Sequence, residues 1–258
     1  MQPFKKPFFE VIPRPPRMWV SGFSPVLEPI DIENGGVFLV HKPIAYTSFK
    51  IVKSIEIALR KRFDLKKIKV GHAGTLDPLA TGLLIVCYGK FTKKIDTYQG
   101  QVKQYRGTFL LGQTTPSHDL ETAPDAHFPT EHINADLLHG TTKLFLGKIS
   151  QVPPVYSAIK KDGKTLYKQV REGKEVETPE ARQVEINNFD LTEIRLPTEV
   201  DFWVQCSKGT YIRSLAYDFG KKLGSGGTLA ELCRTAIGEH KLEQAWELHQ
   251  LLAHIEAS

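Results

Sequence analysis

The chain lacks any apolar run near the roughly 20 residues that a membrane helix needs. Its clearest apolar stretch, Gly82 to Gly89, has the length of a strand. Cysteine is scarce: Cys87, Cys206 and Cys233 are odd in number, far apart and without CxxC or histidine spacing. That pattern excludes a disulfide framework and a zinc ribbon, and reads as reduced structural thiols. No continuous apolar segment follows Lys5, Lys6, Arg14 and Arg17, and the prolines among them oppose a helix. A secretory signal is therefore not expected, and the cytoplasm is the expected location. The nine histidines form no HExxH pair and no serine sits in a GxSxG elbow. Gly224-Ser225-Gly226-Gly227 lacks the last glycine of a dinucleotide fingerprint, and Gly163-Lys164-Thr165 has Ala158 where a P-loop needs its first glycine. Zinc-hydrolase, α/β-hydrolase and nucleotide-binding readings fall away, and no metal is expected.

What is present is enough apolar material for one large core, 41% of 258 residues. The net charge is only +5, yet it is unevenly spread. From Lys50 to Arg106 there are 13 Lys and Arg against four acids, Glu56, Asp64, Asp77 and Asp96, a local excess of +9. Such a concentration points to a polyanionic partner, with nucleic acid the natural candidate.

Residues 1–35 are rich in proline and aromatics without sustained periodicity, and read as an extended arm. Val37 to Val40 reads as a short strand stopped by Lys42-Pro43. Thr47 or Ser48 then caps a helix whose apolar stripe is Ile51, Val52, Ile55, Ala58, Leu59 and Phe63. Strands are expected at about 82–88, 105–111 and 200–206, the last from the alternation of Val200, Phe202, Val204 and Cys206 with polar neighbours. Helices are expected from Asn134 to Phe145 and from Tyr211 to about Gly224, and Thr228 with Glu231 reads as a capping box for one more short helix. Strands and helices in uneven order, without a βαβ rhythm, indicate an α+β fold with helices packed on a mixed, mostly antiparallel sheet.

Two positions stand out chemically. Asp77 sits in Gly71-His72-Ala73-Gly74-Thr75-Leu76-Asp77-Pro78-Leu79-Ala80-Thr81-Gly82, a loop whose glycines permit close approaches and whose proline fixes the backbone just past the carboxylate. Such a loop either aims a side chain or makes a structural Asx turn. Arg213 falls in the opening turn of a helix, where the dipole disfavours a cation by about 0.3–1 kcal/mol. A conflict of this kind calls for an anionic partner, either a carboxylate such as Asp77 or an RNA phosphate.

The run from Gly71 to Leu84 resembles the GHxGTLDPxATGLL motif of the TruB family of tRNA pseudouridine synthases. Gln104-Tyr105, Leu111-Gly112, Val152-Pro153-Pro154-Val155-Tyr156-Ser157-Ala158 and Lys208-Gly209-Thr210-Tyr211-Ile212-Arg213 resemble its other blocks, in order. The resemblance spans roughly residues 36–247, which it marks as a pseudouridine synthase catalytic domain, with 1–35 an extension and 248–258 a tail too short for the family's frequent C-terminal PUA domain.

The resemblance implies an isomerase that converts the T-loop uridine at position 55 of tRNA to pseudouridine, without a cofactor. Asp77 would be the catalytic carboxylate, ionised and oriented by Arg213. Tyr105 would lie against the uracil with a part in proton transfer, Tyr211 would line the pocket, and Lys42 belongs to a further block beside the site. The target base must be flipped out, and His72 would insert into the disrupted loop. Residues of about 151–177 resemble a mobile thumb, whose Lys160, Lys161, Lys164, Lys168 and Arg171 would meet phosphates. The expected partner is the tRNA T stem-loop, with no membrane, and the expected state is a monomer. A modification-independent role in RNA folding is the alternative reading. Ala45 stands where the family usually has glycine, and Cys233 and His240 where it often has arginine and phenylalanine.

Overall fold

A computed structural model of the protein describes residues 17, 19, 20, 22–25, 27–157, 159–161 and 163–258, with Lys160 and Lys161 described in backbone only. The N-terminal half contains β1 (Gly36–Lys42), α1 (Ser48–Arg62), β2 (Val70–His72), β3 (Thr81–Tyr88), α2 (Ile95–Gly100), β4 (Lys103–Leu111), β5 (Gln113–Thr114) and β6 (Ala126–His127). After α3 (Ala135–Lys143) come β7 (Gly147–Gln151), β8 (Lys160–Lys161), β9 (Lys164–Thr165), α4 (Leu166–Arg171), β10 (Arg182–Arg195) and β11 (Glu199–Cys206). The chain closes with α5 (Ile212–Leu223), β12 (Gly227–Ile237), β13 (His240–Lys241), β14 (Trp246–Glu247) and α6 (Leu248–Ala257).

One mixed sheet organises these elements, in the order β14-β1-β3-β12-β4-β11-β10-β7, with β2 added to β3 and β13 to β12. Most pairings are antiparallel, but β12 runs parallel to β3 over Cys233↔Thr81 and Arg234↔Gly82. The fold is α+β, as the element pattern implied. Residues 227–237 are a strand, where a short capped helix was expected from Thr228 and Glu231. The reason is tertiary: β12 is hydrogen-bonded along both flanks, to β3 and to β4, and Thr228 turns its hydroxyl to the Gln113 carbonyl at 3.2 Å instead of capping.

Side-chain alternation divides the core among layers. Phe109, Val200, Phe202 and Val204 meet Leu215, Phe219 and Leu223 of α5 on one face, with Leu138 of α3 beside them. Ile51, Ile55 and Leu59 of α1 pack with Leu84 and Val86 of β3 and with Leu251 and Ile255 of α6. Leu83, Ile85 and Cys87, the alternate residues of β3, face a third cluster to which Trp19, Val20 and Phe23 of the arm are added. The tail residues thus form a helix that helps bury α1. The arm is also held at Arg17, 2.5 Å from Asp201, and at Ser24, whose amide donates to the Glu243 carbonyl at 2.7 Å. All three cysteines are free and buried, and burial pushes each thiol up to about 11. Among the described residues no helix is long and apolar enough to cross a membrane.

Candidate active site

Asp77 lies in the loop between β2 and β3, and the start of α1 together with the turn before it holds that loop on either side of it. Thr47 is the helix N-cap, its hydroxyl accepting from the Lys50 amide at 3.1 Å. Ser48 is thereby free for other work: its buried Oγ accepts from the Leu76 amide at 2.9 Å and donates to the Leu76 carbonyl at 3.2 Å. On the far side of Asp77, the Ala45 amide donates to the Pro78 carbonyl at 2.9 Å. Ala45 has φ 64, so the turn keeps the left-handed conformation suited to glycine and imposes it on alanine.

Lys42 completes the clamp from below. It is fully buried, and Nζ donates to the carbonyls of Tyr46 at 2.6 Å, Pro43 at 2.9 Å and Pro78 at 3.4 Å. Burial depresses its pKa to about 7, with Arg234 adding to the effect and Asp77 opposing it. Lys42 therefore supports the loop's backbone beneath the carboxylate and presents no surface to a substrate.

Arg213, in the first turn of α5, joins three segments. Its Nε stands 2.9 Å from Asp77 Oδ2 and 3.6 Å from Asp119 Oδ2. Nη1 donates to the Ser117 carbonyl at 3.1 Å and Nη2 to the Tyr156 carbonyl at 2.8 Å. The two carboxylates supply the counter-charge that the helix start lacks. Exposure separates the members of the cluster: the side chain of Arg213 is 4% exposed and that of Asp119 7%, whereas that of Asp77 is 39% exposed. Asp77 is thus the carboxylate that opens to solvent. Burial raises Asp119 to about 6 against the pull of Arg213, the Ser117 hydroxyl and the Glu121 amide. Asp77, Asp119 and Arg213 together line a cleft with Leu229, Glu231 and Leu232 of β12.

Tyr105 is buried on β4, and the residue opposite it in the ladder is Arg234 of β12. Burial raises the phenol pKa, and Arg234 acts to lower it. His72, half-buried at the end of β2, has an Nδ1 without a hydrogen-bond partner. Burial, then the charge of Arg234, lower its pKa, so the imidazole is neutral at pH 7. Tyr211 is the N-cap of α5, its amide and carbonyl both bound by the Gln151 side chain at 2.8 and 3.0 Å. The Arg182 guanidinium lies 4.4 Å from its ring centroid.

The expected thumb is a two-stranded ladder, β8 with β9, followed by α4. The Lys160 and Lys161 side chains lie outside the described residues, as do Ala158 and Asp162. Lys164 is 3.5 Å from Glu172. Lys168 lies in the short helix α4. Arg171 stands 3.6 Å from Glu121, whose Oε1 also accepts from the Tyr167 hydroxyl at 2.7 Å. The thumb is therefore anchored two residues from Asp119, and its Tyr156 carbonyl reaches Arg213 directly.

The structure brings Asp77 and Arg213 into contact and sets Lys42 and Tyr105 within electrostatic reach of Asp77. Asp119, Ser48 and Arg234 were not singled out in the sequence. The only local hint was for Ser48, as one of two cap candidates beside Thr47.

Residues 60–212 match the model of the TruB family pseudouridylate synthase N-terminal domain, and residues 213–258 match that of the tRNA pseudouridylate synthase B C-terminal domain. The chain belongs to the TruB family. It is 54% identical over 223 residues to the tRNA pseudouridine synthase B of Flavobacterium johnsoniae, covering 86% of this chain and 96% of that protein. With the protein of the same name from Bacteroides fragilis it is 49% identical over 215 residues, covering 83% and 91%. Among solved structures, a Cbf5-Nop10-Gar1 complex matches with a TM-score of 0.65 at 30% identity, over 90% of this chain and 58% of that one. An H/ACA RNP bound to a substrate RNA containing 2'-deoxyuridine matches with a TM-score of 0.62 at 28% identity, over 90% and 57%. The chain thus spans under two thirds of the length of these solved chains.

Proposed function

We propose that this protein is a tRNA pseudouridine synthase that isomerises the T-loop uridine at position 55, with Asp77 as its catalytic carboxylate. The observation that carries the reading is the Asp77–Arg213 pair, an open carboxylate held at 2.9 Å by a guanidinium that is itself buried and anchored on two carbonyls. In the reaction the N1–C1′ bond of the nucleotide breaks, C5 bonds to C1′, C5 loses a proton and N1 gains one. Attack at C1′, attack at C6 and departure of uracil through a glycal all begin from an ionised carboxylate, and Arg213 sets its guanidinium charge beside that group. The high relatedness to proteins named tRNA pseudouridine synthase B over nearly their whole length supports the substrate.

Residues 36–247 form the catalytic unit in this reading, with 1–35 as an added arm, and the protein acts as a monomer. Tyr105 and Tyr211 flank the flipped uracil, and His72, flat and neutral, fills the place that the base leaves. Lys164, Lys168 and Arg171, with Lys160 and Lys161, meet the phosphates of the stem-loop. The test is Asp77→Asn, assayed on a T stem-loop RNA. Pseudouridine formation is expected to cease while RNA affinity stays within a few-fold; continued turnover by that variant overturns the assignment.

A further inference from the structure

Arg234 is among the largest fully buried side chains, and among the described residues no carboxylate stands within 4.0 Å of its guanidinium. A buried cation without a paired anion is costly, so the fold must have a use for it. Its donors go to the loop that carries the catalytic carboxylate and to the strand after it: Nη2 to the Gly74 carbonyl at 3.0 Å, and Nε to the Leu83 carbonyl at 2.8 Å. Across the ladder it faces Tyr105. The backbone is arranged to admit it. Gly82 has φ 109, and a Cβ there would stand 2.4 Å from the Arg234 amide nitrogen and carbonyl oxygen, so only glycine lets β12 come this close to β3.

We propose that Arg234 is a positioning residue for Tyr105: anchored on Gly74 and Leu83, it fixes the phenol and stabilises its oxygen as that oxygen gives up its own proton, before it takes the proton lost from C5. The inference rests on the reading of this site as a pseudouridine synthase. In the step, the phenol's own O–H proton goes to N1 and its oxygen takes the proton from C5; the C5–H electron pair restores the C5=C6 double bond as the N1=C6 pair withdraws to N1, and Tyr105 ends as the phenol it began as. N1 takes up one proton, so the isomerisation as a whole neither releases nor consumes one. The charged and titratable groups that face Tyr105 are Arg234 from β12, Cys206 from β11 and Asp77 from the loop. Of these Arg234 is the cation, and it opposes the effect of burial on the phenol.

The experiment compares single-turnover conversion of a stem-loop RNA carrying hydrogen or deuterium at C5 of the target uridine. Arg234→Gln removes the charge, and its rate is expected to fall about 100-fold, the scale of one acid–base contribution, with a larger isotope effect than the unaltered enzyme. Arg234→Lys keeps the charge but cannot serve both carbonyls and the phenol; about a tenfold loss is expected, again with a raised isotope effect. Tyr105→Phe should give the same signature, and adding Arg234→Lys to it should cost little more. If Arg234→Gln does not fold, the Lys variant carries the test alone. A slower rate with an unchanged isotope effect assigns Arg234 to structure only and overturns the proposal, as does an unaltered rate. Failure of the unaltered protein to form pseudouridine overturns instead the functional reading on which the proposal rests.

Discussion

Replacing Arg213 by lysine keeps the charge and removes the fork. The guanidinium satisfies the Ser117 and Tyr156 carbonyls from separate Nη atoms while Nε stays against Asp77. A single ammonium on a differently shaped side chain can stay with the carboxylates or follow the carbonyls, but cannot do both. Two charge-assisted hydrogen bonds are worth about 1.5–3 kcal/mol each, and the ammonium regains part of that, so Arg213→Lys is expected to lose about 2–4 kcal/mol of folding stability. Urea unfolding at pH 7.5 reads this directly. If the rotated carboxylate loses about 2–3 kcal/mol of transition-state stabilisation, single-turnover conversion slows about 30- to 150-fold. Affinity for the stem-loop should change by no more than a few-fold, because Arg213 is buried away from phosphates. Two results would refute the reasoning: a stability loss under about 1 kcal/mol together with an intact rate, or a loss of activity that lies wholly in RNA binding.

Ser48→Ala strands the Leu76 amide beneath the loop and should cost about 1–3 kcal/mol, read as a lower thermal midpoint, with a rate at saturating RNA that falls more than affinity does. Asp119 has a folded-state pKa near 6, above its unfolded value, so the folded chain binds the extra proton between the two. Stability from this group is present below about pH 4 and is lost as pH rises to about 6, by roughly 3 kcal/mol. Asp119→Asn should therefore gain stability relative to the unaltered chain on going from pH 4 to 7.5, measured by urea unfolding; parallel pH profiles reject the assignment. Affinity for the stem-loop should fall linearly in a log–log plot against salt, through release of counterions from phosphates, and salt-independent binding rejects phosphate contacts by the basic region.

What could be read in the sequence was local. Asp77 is announced by the glycines and proline around it, and Arg213 by its conflict with the helix start. The apolar stripes of α1 and α5 correctly gave helices, and Gly224, with φ 71, ends α5 as expected. Partners distant in the chain were not legible. Ser48 matters through a residue 28 positions on, and Arg234 through one 160 positions back. Neither spacing leaves a periodic trace. β10, 14 residues long, was missed because bulges at Ile186/Asn188 and Leu191/Glu193 break its alternation. β12 was misread for a related reason. Its Thr-x-x-Glu pattern satisfies a helix-start rule, while its strand character comes from neighbours on either flank that no local window contains.

The place of β12 in the sheet bears on when the enzyme can begin to work. This strand is made late, yet it lies between β3 and β4, both made in the first half of synthesis. Until it arrives, the early strands have an empty seat between them, the Gly74 and Leu83 carbonyls have no guanidinium to receive, and the cleft has no far wall. A growing chain can display its carboxylate loop and basic helix on the ribosome, surrounded by RNA, without a finished pocket to act through. The cleft is thus complete only once β12 has been made and seated between β3 and β4.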